Sequence, residues 1–216
     1  MCFSAVGSFA LSGVLAGTGV TAMVLNKSPE QRLFAAIPLV FAAQQAAEGV
    51  VWLTIADPAQ ATLQHLSVAV FLGIAVVIWP VWCPFSIFLA ERNAARRRVL
   101  AVMSGIGVVV SLGAVALLVR WHPVAMVVSH SIQYVHEAST LGRFTVLVYA
   151  VAALLPFFVS TTVLARTIGV TFVLSLVVTW LSYREALTSV WCFFAAILSG
   201  LILVAVLRGN AVRGGR

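Results

Sequence analysis

Glu48 is the first residue in this chain at which to look for chemistry. It is the only formal charge in Leu33–Ile55, a stretch long enough to cross a membrane. A carboxylate at bilayer depth costs about 2.5–3.5 kcal/mol on insertion scales, so it is seldom kept without a partner or a task. At such a site it can bind a proton, ligate a metal or act as a general base. Gln45, Glu48 and Trp52 follow the spacing i, i+3, i+7, and Gln44 lies one turn from Glu48. On a helix these residues form one polar stripe. Two readings of the stripe stand side by side. It is a structural knot of hydrogen bonds to neighbouring helices, or a proton or ligand site.

Further groups with donor chemistry fall at comparable depth. If the second apolar span runs outward, Glu48 is about 10 Å below its outer end; Cys192 in the last span is then ~9 Å below the same surface. His65 starts the third span on that side. The long connection Arg120–Arg143 adds His130 and His136, and Cys2 stands at the outer end of the first span. Glu48, Cys192, His65, His130, His136 and Cys2 together have the donor types of a site for zinc or another transition metal. No HxxxH, HExxH or CxxC pattern supports it, so the expectation rests on topology and depth. With a metal-bound water as nucleophile, Glu48 would be a ligand or general base of a hydrolase acting on a small-molecule or lipid substrate. The alternative is a proton- or cation-coupled transporter, channel or sensor without chemistry. The three cysteines are too few for a disulfide framework.

The elements that must position these groups are membrane helices. Of 216 residues, 62% are hydrophobic and 9% charged, against about 25% charged in soluble domains. About seven spans are expected: Phe3–Asn26, Leu33–Ile55, Leu63–Ala90, Val99–Val119, Phe144–Ala165, Thr167–Tyr183 and Ala186–Leu207. They make one all-α transmembrane helical domain over residues 1–216, with an outer loop at 120–143. Met1-Cys2-Phe3-Ser4 lacks the basic start of a cleaved signal peptide, so the first span is expected to be retained.

Lys27, Arg32, Arg92, Arg96, Arg97, Arg98, Arg166, Arg208, Arg213 and Arg216 fall in alternate connections and the tail, leaving Arg120, Arg143 and Arg184 for the other side. The positive-inside rule then puts the amino terminus outside and the carboxyl terminus in the cytoplasm of a bacterial inner membrane. The net charge of +7 is thereby a topology signal, and Arg96-Arg97-Arg98 reads as an anchor on anionic headgroups rather than a nucleic-acid site.

Three local features bear on positioning. Trp79-Pro80-Val81-Trp82-Cys83-Pro84 must distort the third span, since each proline removes a hydrogen bond and crowds the turn before it. Thr167, Thr171, Ser175, Thr179 and Ser182 form a hydroxyl stripe, either a wet path or helix glue. Val124–Val128 and Ile132–His136 could pair as a hairpin or continue as a helix, in either case a lid over the bundle mouth.

Met1-Cys2-Phe3-Ser4-Ala5, Gln44-Gln45 with Glu48-Gly49 and Trp52, and Trp191-Cys192-Phe193-Phe194-Ala195-Ala196 resemble the signatures of an uncharacterised bacterial membrane family whose members begin Met-Cys-Phe-Ser. The resemblance implies a multi-helix membrane protein and brings no established activity. The architecture is also similar, more loosely, to the seven-helix metal hydrolases of the alkaline ceramidase and adiponectin receptor type, although their HxxxH is missing. Oligomeric state is not written in any of these features.

Overall fold

A computed structural model describes residues 4–128, 131–135, 143–161, 163–182 and 194–214. Seven long helical segments appear among them. They are α1 (Ala5–Leu25); α3 (Ile37–Thr54), preceded by the single turn α2 (Arg32–Ala35); α4 (Ala61–Leu72) continuing into α5 (Trp79–Ala90); α6 (Ala94–Trp121); α7 (Arg143–Val159); α8 (Val163–Ser182); and α9 (Ala195–Gly214). Four stretches are long and apolar enough to cross a membrane: Ala5–Leu25, Pro29–Thr54, Pro58–Ala90 and Ala94–Trp121. Over the described residues the apolar parts of α7, α8 and α9 are shorter. The fold is all-α apart from a small hairpin, β1 (Val124–Val128) and β2 (Ser131–Val135).

Local signals explain the helix ends. Ser4 caps α1 by accepting from the Gly7 N–H, and Asn93 caps α6 by accepting from the Arg96 N–H. Pro38 cannot donate to the Phe34 carbonyl, so α2 and α3 are separate. The fifth and sixth expected spans divide at Ser160-Thr161, a little before Ala165-Arg166. The start expected for the last span, at Ala186, lies outside the described residues.

The third expected span carries its distortion one turn ahead of its prolines. Gly73–Ile78 is π-helical, with α4 and α5 continuing on either side. In that register the Ala75 carbonyl would accept from residue 80, which as a proline has no N–H. The Tyr149 hydroxyl of α7 donates to this carbonyl at 2.5 Å. Ser111 of α6 donates to the Val77 carbonyl of the same stretch at 2.6 Å. Pro84 likewise leaves the Pro80 carbonyl without its helical donor. That oxygen points at Gly107 of α6, where a β-carbon would overlap it.

Burial divides the helices sharply. The α3 span is 67% buried, against 22% for α1 and 17% for α6. Thus α3 is the central helix, and α1 and α6 offer broad apolar faces outward, as lipid-facing helices do. α1 runs antiparallel along α3. Gly19 lets the Leu39 side chain and backbone come close, Phe9 covers Gly49, and the Ser12 hydroxyl donates to the Ala42 carbonyl at 2.8 Å. Gly13 and Gly17 have open space in place of a neighbour, so the close approach of α1 and α3 is made at Gly19. The main core joins Leu15, Ile37, Phe41, Trp79, Leu100, Phe157, Ile168, Leu198 and Ile202.

One end of the bundle is tied together by polar contacts. Both Glu91 carboxylate oxygens accept from Thr161, through its N–H at 2.8 Å and its hydroxyl at 3.0 and 3.1 Å. Glu91 also accepts from the Arg92 and Asn93 N–H groups. The Arg96 guanidinium donates to the Val159 and Ser160 carbonyls at 2.8 and 3.0 Å. Trp82 donates to the Leu33 carbonyl, and Gln31 lies against Gly209 of α9. The connections that carry most of the Lys and Arg therefore share this end.

Candidate functional site

At the other end of α3 the polar stripe is present but divides in two. Gln44, Gln45 and Glu48 are all buried, at 2%, 0% and 0% exposure. Because α3 is surrounded, residues a quarter-turn apart meet different neighbours. The Gln44 Oε1 accepts from the Trp79 indole N–H at 3.0 Å, and the Trp79 ring lies 4.2 Å from that of Phe41. Gln44 is thus a tie between α3 and α5. Gln45 turns the other way and donates its side-chain N–H to Glu48 Oε2 at 3.0 Å. This amide–carboxylate pair, i to i+3 on one helix, is the centre of the site.

Trp52 is half-buried. Its ring joins a second core with Val51, Phe71, Leu72, Ala125 and Ile132, while its indole N–H is buried without a hydrogen-bond partner among the described residues. This second core is where the hairpin lands. β1 and β2 pair antiparallel, with Ala125 opposite Tyr134 and Val128 opposite Ser131. The face bearing Ile132 and Tyr134 is laid on the bundle, and the Tyr134 ring stacks on Phe71 at 4.7 Å. Of the two geometries open in the sequence, the strand is adopted. The hairpin packs on α4 through Phe71 and shares its small core with Ala47 and Val51 of α3, which flank Glu48 in the chain.

Among the expected metal donors, the structure describes Glu48 and His65. His65 is on an exposed part of α4, whereas Ser67, Val68, Phe71 and Leu72 turn inward. Cys2, Cys192, His130 and His136 lie outside the described residues. No group of three or more His, Cys, Asp or Glu side chains comes together among the described residues. The third cysteine, Cys83, is buried in the main core with Trp79 and Ile87.

The hydroxyl stripe of α8 does not form one wet face. Thr171 donates back to the Thr167 carbonyl, Ser175 to Phe172 and Thr179 to Ser175. Thr167 is exposed while Ser175 and Thr179 are buried. Such back-bonding satisfies hydroxyls in an apolar setting without a path.

Glu91 stands out in the structure rather than in the sequence. Its signal was the run Glu91-Arg92-Asn93 just before a capped helix, where a carboxylate can collect backbone N–H groups. Burial of Glu91 pushes its carboxyl up. The hydrogen bonds from Asn93, Thr161 and Arg92 outweigh this and hold it below the ordinary glutamate range. Near the covered end, Asp57 is likewise held low by the side-chain amide of Gln60 and the Ala59 N–H.

The chain belongs to a family of unknown function (DUF6629), whose model matches residues 1–214. This agrees with the expectation of an uncharacterised family. No curated protein and no solved structure matches the chain.

Proposed function

For this member of an uncharacterised family, we propose a multi-pass protein of the bacterial inner membrane with about seven spans. Its amino terminus is outside and its carboxyl terminus cytoplasmic. In this reading Glu48 is an outward-facing carboxylate that binds a proton or cation in a transporter or sensor. The orientation is supported by the gathering of the basic connections at the end tied by Glu91, Thr161 and Arg96. Glu48 then belongs to the outer half, in the same half as the hairpin on α4.

The observation that carries the site is the complete burial of Glu48 on the most enclosed helix, held by Gln45 at 3.0 Å. A purely structural hydrogen bond at this position is supplied at lower cost by a second glutamine. A carboxylate adds the one property Gln lacks, a change of charge on protonation. The hydrolase reading requires several nitrogen or sulfur donors around Glu48, and the exposed His65 does not add to it.

The test is the thermal midpoint of the detergent-purified protein across about pH 5–9, for wild type and Glu48→Gln. The wild type is expected to show a pH-dependent step that the variant lacks. The same step in both removes Glu48 from the account. Stoichiometric transition metal in the wild type, lost in the variant, would replace this reading by the hydrolase.

A further inference from the structure

The run Arg96-Arg97-Arg98 opens α6, and its three members have different surroundings. Arg96 turns inward to the Val159 and Ser160 carbonyls. Arg97 and Arg98 are exposed. The Arg97 guanidinium lies 4.7 Å from the centre of the Phe88 ring of α5, and Phe88 stacks on Phe85 at 5.9 Å. This cation–π contact holds the Arg97 charge at the corner where α5 ends and α6 begins. Phe85 is itself exposed.

The two exposed charges have no carboxylate to offset them among the described residues. The first turn of α6 contains no acidic residue. Glu91 is the nearest carboxylate in the chain, but it is buried, and its oxygens are taken by Thr161 and the Arg92 and Asn93 N–H groups. Adjacent guanidinium groups repel one another, and the positive end of the helix dipole adds to that repulsion. An anion at this corner relieves both.

We propose that this corner binds one anionic phospholipid, with Arg97 and Arg98 on its phosphate and Phe85 and Phe88 against the start of its acyl chains. The inference rests on the membrane part of the proposed function and is independent of Glu48. A guanidinium pairs with phosphate oxygens through two parallel N–H groups, which gives a defined site rather than a diffuse attraction. The surface below the charges selects a lipid over a free phosphate. Val102, Ile106 and Val109 continue down one side of α6 from Arg98, at 64%, 48% and 70% exposure. Gly105 has open space beside them. From Arg98 to Val109 the helix descends roughly 16 Å, which matches the half-thickness of a hydrocarbon core. The charged corner and the apolar face thus fit the two parts of one molecule. With the basic connections cytoplasmic, the site lies in the inner leaflet, where anionic headgroups meet basic residues.

The test uses the full chain in a non-ionic detergent, with its thermal midpoint measured in phosphatidylglycerol against phosphatidylcholine of the same acyl chains. The anionic lipid is expected to raise the midpoint by roughly 2–4 °C over the zwitterionic one, as a ligand of the native state does. Glycerol phosphate, the headgroup without chains, should not. The double variant Arg97→Gln with Arg98→Gln should lose the increment and keep the wild-type midpoint in phosphatidylcholine, since both side chains are exposed. Arg120→Gln with Arg208→Gln removes the same charge from exposed positions elsewhere and should keep the increment. Native mass spectrometry of the wild type needs no variant and should show one phosphatidylglycerol retained in preference to phosphatidylcholine. Equal response to the two lipids overturns the site. So does an increment reproduced by glycerol phosphate, one that survives in the Arg97 and Arg98 variant, or one lost equally in the Arg120 and Arg208 variant. Carbonate extraction of native membranes separates the two failures. A chain that stays in the membrane pellet keeps the membrane reading without the lipid site, and one that is released removes both.

Discussion

Glu91 and Glu48 are both buried carboxylates, and their surroundings differ. Glu91 accepts from three backbone N–H groups and the Thr161 hydroxyl, all donors that favour its ionised form. With a folded value below the unfolded one, its contribution to stability is complete above about pH 4.3. That contribution is lost as pH falls through the lower folded value. Acid titration of the thermal midpoint should therefore fall less steeply in Glu91→Gln than in wild type. At neutral pH the same variant should cost about 1–3 kcal/mol, because buried donors of the α7–α8 connection lose their acceptor. Gln44 gives the complementary control for the site. Gln44→Leu strands the Trp79 indole N–H and should also cost about 1–3 kcal/mol. It should leave the Glu48-dependent pH step intact. Loss of that step in Gln44→Leu would mean that the polar stripe works as one unit, contrary to the divided arrangement. The stripe itself was legible in the sequence, because a carboxylate and two amides at helical spacing stand out in an apolar run. Its division was not, because spacing gives an angle on one helix and says nothing of which neighbour lies at that angle.

At the scale of elements, the prolines of the third span were legible and the place of their effect was not. Pro80 and Pro84 lack N–H groups, so the freed carbonyls lie toward the turn before each, and the helix widens over Gly73–Ile78. The donors that accept this arrangement, Tyr149 and Ser111, come from helices distant in sequence. Tyr149→Phe should destabilise by about 1–3 kcal/mol, measured by denaturation in detergent, as the Ala75 carbonyl is left buried. Gly107→Ala should do more damage, since its methyl meets the backbone oxygen of Pro80 rather than a movable side chain. A Gly107→Ala protein with wild-type yield and midpoint would contradict the close approach of α5 and α6. The hairpin was ambiguous for a different reason. Val124, Met126 and Val127 are apolar yet exposed, so the sequence has no clean alternation to separate strand from helix.

For the whole molecule, the helical class was readable from the long continuous apolar runs, because the strands of the alternative, a closed barrel, are short and alternate in polarity. The end-to-end asymmetry of Lys and Arg was equally readable. The ties at Glu91, Arg96 and Gln31 now gather the connections that carry it. Reporter fusions at both termini should give an external signal before residue 4 and a cytoplasmic one after Arg216. A periplasmic carboxyl terminus would invert the bundle and turn the Glu48 end toward the cytoplasm. What could not be read was the joining of the first and last helices in one core with α3, as Leu15, Ile37 and Ile202 do, because it depends on packing across nearly the whole chain. The central claim is that Glu48 exchanges a proton from within the bundle. An apolar carbodiimide, which attacks protonated carboxyls, tests it in native membranes when the adducts are mapped by mass spectrometry. The adduct at Glu48 should be strong at acidic pH and decline as pH rises and the carboxylate forms. A Glu48 that stays unmodified at every pH, or is modified to the same extent at all of them, would contradict the account.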